Sequence, residues 1–121
     1  MREIVAALRA QHEELDSMLG ELAGAAWVRP SRCPGWAVAD VVLHLAQTDE
    51  WAVASTEGRL AEVDHGWHAV LAEGGSVDDA ATAAVAAQRG APPAQLLTRW
   101  RAAAAAERAA FTSCAPHTRF P

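Results

Sequence analysis

Arg32-Cys33-Pro34-Gly35-Trp36-Ala37-Val38-Ala39-Asp40-Val41-Val42-Leu43-His44-Leu45-Ala46-Gln47-Thr48-Asp49-Glu50-Trp51 is the stretch that decides the fold. Pro34-Gly35 reads as a turn, because Pro fixes φ and Gly tolerates positive φ. Beyond it, Val38, Val41, Val42, Leu45, Asp49 and Ala52 recur at the three-and-four spacing of one helical face. Asp40 falls in the first turn, where its charge suits the positive end of the helix dipole. His44 lies on the flank of that face with Val41, Thr48 and Trp51. In a bundle such a flank can meet a second neighbouring helix.

The periodicity continues on both sides. Residues 1 to about 24 predict a first helix with Ile4, Leu8, His12, Leu15, Leu19 and Leu22 as its stripe, and Gly24 as a stop. His12 interrupts the middle of that stripe. Its plain reading is a core histidine held by one hydrogen bond; the functional one is a pocket wall or outer partner of His44. The central helix is expected over about 37–57. A third, over 92–113, starts at Pro92-Pro93 and carries Leu97, Trp100, Ala104, Arg108 and Phe111. Its Ala102–Ala106 run favours close helix approach. Between 59 and 89 short helical pieces are expected, one of them capped by Ser76 with Asp79 three residues on. His65 and His68 are spaced i,i+3, which can chelate a metal on a helix. Gly66 between them weakens the helix and no third ligand is near, so the segment reads as solvated.

Composition narrows the classes. A chain of 121 residues is one domain, and 51 % hydrophobic content supports a modest core, much of it Ala. A formal charge of −5 argues against a nucleic-acid surface. No apolar run reaches the ~20 residues of a membrane span, and the start is no signal peptide. Cys33 and Cys114 lack metal spacing and suggest a reducing cytoplasm without a structural disulfide. No phosphate loop, nucleophile elbow or strand-period segment is present.

Gly35-Trp36, then His44-Leu45-Ala46, then Thr48-Asp49-Glu50, and later Leu96-Leu97-Thr98-Arg99-Trp100-Arg101 appear in an order that resembles the DinB-like superfamily. More closely, it is similar to the metal-binding N-terminal domain of mycothiol-dependent maleylpyruvate isomerases. The resemblance covers essentially the whole chain. It implies an all-α, up-down helical bundle holding a divalent metal, zinc or nickel. His44 is the ligand it assigns here. The other two ligands come, in the family, from a Glu-x-x-x-His on a fourth helix, and an open position accepts a low-molecular-weight thiol such as mycothiol. One departure is Ala37, where relatives often hold a capping Ser or Thr.

No Glu-x-x-x-His occurs in the 121 residues, and Glu107 and Cys114 do not replace it by spacing. The sequence therefore predicts three long helices of the bundle with the fourth missing, in one incomplete domain over 1–121. Whether it is an enzyme stays open: a thiol-transfer or isomerase domain inactive as this chain, or a non-enzymatic helical interaction module. His44 is expected to point between helices near His12, and metal binding by this chain alone to be weak or absent. A groove left for the fourth helix, walled by Leu15, Leu19, Val42, Leu45, Leu97 and Trp100, predicts a homodimer or larger homo-oligomer.

Overall fold

The computed structural model describes residues 2–63 and 66–114. His65, and with it the His65–His68 pairing, lies outside the described residues. The architecture is all-α, as expected for a DinB-like helical fold. In chain order come α1 (Arg2–Gly20), α2 (Gly24–Trp27), α3 (Val38–Thr56), a 3-10 turn (Leu60–Glu62), α4 (Trp67–Ala72), α5 (Val77–Gln88) and α6 (Pro93–Thr112). Among the described residues β structure amounts to one isolated bridge, Pro30 with Ala37.

The Pro-Gly turn forms as its residues dictate. Gly35 takes φ +81°, a conformation that strains any side chain. Trp36 N–H donates to the Cys33 carbonyl at 3.1 Å, and Val38 N–H donates back to Arg29 at 2.9 Å. That clasp fixes where α3 begins. Ala37 offers no side-chain cap, and Asp40 Oδ2 instead accepts the Ala37 N–H at 2.9 Å. Asp40 thus does more than face the dipole, since Oδ1 also accepts from Arg89 Nε at 3.1 Å. On α5 both halves of the expected box form between Ser76 and Asp79, at 2.9 and 3.0 Å.

α3 and α6 are the principal packing pair, with α1 against α6 and α5 against α3. The core joins Leu19, Trp27, Val42, Leu43, Ala46, Val85, Leu96, Trp100 and Ala104. Ala103 and Ala104, from the alanine run, are buried. A polar layer crosses the three helices. Gln47 Nε2 donates to the Ala84 carbonyl at 2.9 Å and to Gln88 Oε1 at 3.0 Å, while Arg99 holds Glu50 through two bonds of 2.7 and 2.8 Å.

The stripes are correct in kind and depart in detail. In the first stripe Leu19 is buried and Leu8, His12, Leu15 and Leu22 are partly buried, while Val5 turns inward in place of Ile4, which is 61 % exposed. On α6 Trp100 and Ala104 are buried as read, and Leu96, Ala103 and Glu107 are buried beside them, while Leu97, Arg108 and Phe111 are partly buried. On α3 the buried set is Asp40, Val42, Leu43, Ala46, Gln47, Ala54 and Ser55, because α5 and α6 cover two sides at once. The groove walls need the same correction. Leu19, Val42 and Trp100 are 6 %, 2 % and 2 % exposed, so they are interior, while Leu15, Leu45 and Leu97 are partly buried against that core. α6 packs onto both α1 and α3.

Candidate functional site

His44, the ligand assigned by resemblance, projects from the second turn of α3 toward the Pro-Gly clasp. Its ring centroid lies 5.2 Å from that of Trp36, tilted by 49°. Burial lowers its pKa, so the ring is neutral near pH 7 and keeps a lone pair for a ligand. Nδ1 is fully buried and has no hydrogen-bond partner. The same side chain lines a cleft of about 390 Å³ with Cys33, Pro34, Trp36, Asp78, Ala81 and Thr82. The flank thus does meet a second helix, α5.

His12 has different surroundings. It faces α6, with its ring edge-on to Trp100 at 5.8 Å. Arg108 Nη1 lies 2.7 Å from His12 Nδ1, and Nε2 is 3.8 Å from Glu107 Oε1. Asp49 completes the group from α3. Ligand-type atoms of His12, Asp49 and Glu107 lie within 4.8 Å of one another. His44 is not in this group, and the reason is helical geometry. Positions 44 and 49 are about 140° apart around α3 and ~7.5 Å apart along it. The sequence expectation that His44 and His12 share one space thus resolves into two separately built surroundings.

The electrostatics of the two differ as well. Burial raises the Glu107 carboxyl to about 8, helped by the charge of Asp49 and by its hydrogen bond to Asp49. Burial also raises Asp49, against the lowering effect of Glu107, His12 and Trp100, which donate to it or attract it. Glu107 therefore keeps its proton at neutral pH and shares it with Asp49. His12 is lowered, first by burial and then by Arg108, against the pull of Asp49.

His44 fits one position of the metal site that the resemblance implies, on the strength of its unpartnered, buried Nδ1. The described residues bring no second and third donor into ligating distance of it; Cys33 and Asp78 share its cleft without closing such a group. Sequence reasoning missed Asp49 and Glu107. It placed Asp49 in an apolar stripe and set Glu107 aside on spacing. The available signal was an ionisable residue interrupting each apolar stripe, His12 on α1, Asp49 on α3 and Arg108, the neighbour of Glu107, on α6. Cys33 and Cys114 are free thiols, Cys33 exposed.

No helix among the described residues is long and apolar enough to cross a membrane. Comparison with known proteins gives three findings. The chain is 36 % identical over 97 residues to two uncharacterized proteins of Mycobacterium tuberculosis, MT0041 and Rv0036c. That match takes in 80 % of this chain and 36 % of each relative, so the chain spans little more than a third of the curated relatives' length. No solved structure matches it. The family model described as the mycothiol maleylpyruvate isomerase N-terminal domain matches residues 8–121, and the chain belongs to that family.

Proposed function

We propose that this chain is the helical part of a divalent-metal domain that activates a small thiol, with His44 as its first ligand. The observation that carries the reading is the buried, unpartnered Nδ1 of His44, a residue whose side chain lines an open cleft. A buried polar atom left without a partner costs about 1–3 kcal/mol, which a ligand would recover. Zinc or nickel bound there would lower the pKa of a bound thiol, such as mycothiol, so that it acts as a thiolate near neutral pH. The chain's own residues hold and screen that position. Trp36 packs against the imidazole and limits its rotation, while burial keeps the ring unprotonated. The Pro-Gly clasp shapes the cleft mouth, and free thiols at Cys33 and Cys114 suit a reducing cytoplasm.

The test supplies the two donors that the family takes from a further helix. The chain extended by a helix bearing Glu-x-x-x-His is titrated with Co²⁺, followed by a small thiol. Tight binding and a sulfur-to-cobalt absorption band on adding the thiol are expected, with the band lost in His44→Ala. A sulfur-to-cobalt band that survives His44→Ala would overturn the assignment.

A second reading rests on surface composition. On α1, Ile4 and Met18 are 61 % and 59 % exposed, and Trp51 and Leu71 add apolar area near α4. Covering such surface favours association, and a two-fold arrangement covers two copies at once. We propose a homodimer through α1, in which case the chain is an interaction module whether or not it binds metal. Light scattering on a gel-filtration column decides it: a 12.8 kDa monomer at micromolar concentration would remove this reading.

A further inference from the structure

We infer that His12, Asp49 and Glu107 form a second divalent-cation site, built between α1, α3 and α6 and independent of His44. Three donors from three different helices converge within 4.8 Å, the span of one coordination shell. The packing of those helices fixes them: Trp100, 2 % exposed, lies edge-on to the His12 ring, and Glu107 is 7 % exposed. The Glu107 and Asp49 carboxyl groups share one proton between them, and a cation would take the place of that proton. One imidazole with two carboxylates suits zinc or another borderline first-row ion.

The site also has an approach and a competitor. A small cavity of about 60 Å³ lies beside the His12 ring, lined by Glu13, Asp16, Trp100, Arg101 and Arg108 among others, with Asp16 held by Arg101 at 2.7 Å. That is room for a few waters. The competitor is Arg108. A guanidinium only donates, so at 2.7 Å it makes His12 Nδ1 an acceptor and leaves the ring proton on Nε2. Nε2 is the nitrogen facing Glu107. For Nε2 to ligate, its proton must move to Nδ1, where it would face the Arg108 donors. Cation binding through Nε2 therefore requires Arg108 to swing out.

The experiment uses the unmodified chain and Zn²⁺ alone, by isothermal titration, with Co²⁺ spectra to report coordination. One equivalent should bind. His12→Gln, Asp49→Asn and Glu107→Gln should each weaken binding by more than the ~10–100-fold typical of losing an outer partner. His44→Ala should leave it unchanged, and Arg108→Gln should tighten it severalfold. Circular dichroism on each variant confirms that it is folded. Binding that is lost in His44→Ala and kept in the three triad variants would overturn the inference. So would the absence of binding at millimolar Zn²⁺ in both the unmodified chain and Arg108→Gln. Failure here leaves the His44 reading standing, since that is tested on the extended chain.

Discussion

His12 and His44, both partly buried in this bundle, make an instructive pair. Both are neutral because burial lowers their pKa, yet His44 has a bare nitrogen and His12 has a full set of neighbours. His44 sits between a loop and α5, where apolar contacts predominate and nothing answers Nδ1. His12 sits between long helices, and Arg108, Glu107 and Asp49 answer it from two of them. An imidazole on a helix face says little about its task. What decides is whether the facing element brings donors, acceptors or only hydrocarbon.

The difference can be broken hardest at the tryptophans. Trp100 is 2 % exposed, belongs to the central core and supports the His12 ring, whereas Trp36 is half-buried over His44. Trp100→Ala should cost about 3–5 kcal/mol, a large part of a small domain's stability. Trp36→Ala should cost clearly less and act mainly on the cleft. Urea denaturation of the two variants measures this directly; equal losses would mean that the clasp is as central to the core as α6.

The second contrast is in pH, where the two sides have opposite signs. Glu107 faces His12 from α1 and Asp49 from α3, with Arg108 beside it on α6 and Glu50 close to Asp49. Its pKa rises from an ordinary 4.5 to about 8 on folding. The folded state therefore binds more protons between those values, so stability falls as pH rises through that window. Glu107→Gln should remove this alkaline loss, a relative gain on the order of 2–4 kcal/mol above pH 8. His44 works the other way. Its folded pKa lies below 6.5, so its contribution is present above that value and is lost as pH falls through the folded pKa. His44→Phe should make the acid limb shallower and leave the alkaline limb alone; His12, also lowered, keeps part of the acid slope. Midpoints of urea unfolding from pH 5 to 9 separate the two.

Helix identity was readable from the chain because Gly and Pro punctuate it and the apolar spacing is helical; the predicted 37–57 and 92–113 became Val38–Thr56 and Pro93–Thr112. The first helix was read too long. Gly20 ends it, and Gly24–Trp27 turns separately to bury Trp27, 3 % exposed. Phase was harder to read than period. In an alanine-rich helix neighbouring faces are almost equally apolar, so Leu96 against Leu97, or Val5 against Ile4, is settled by the partner helix. The triad was hidden for a related reason. Its members are 37 and 58 residues apart in sequence, and only the shared packing of α1, α3 and α6 brings them together. Spacing rules see pairs on one helix and are blind to that arrangement.

The smallest expected effect lies at the start of α3, and it sharpens the contrast by leaving both sites untouched. Ala37 already has the extended conformation of a helix cap, φ −77° and ψ 169°. Its carbonyl accepts the Asp40 and Val41 N–H groups at 3.0 and 3.2 Å, and its N–H donates to Asp40 Oδ2 at 2.9 Å. One half of a capping box is therefore in place, the half made by the third helical residue. The missing half is a side-chain oxygen at 37 to take the Asp40 N–H. Ala37→Ser supplies it without a backbone change, and should stabilise by about 0.5–1 kcal/mol. In a domain of this size that is a rise of a few degrees in Tm. His44 is two turns further along the same helix and its cleft is formed by Trp36 and α5, so metal affinity at either site should not move. The check is thermal unfolding together with Zn²⁺ titration. A gain in Tm with unchanged binding means that the cap acts on the helix alone. A gain with altered binding would tie the cleft of His44 to the start of α3, and one boundary between the two regions would dissolve.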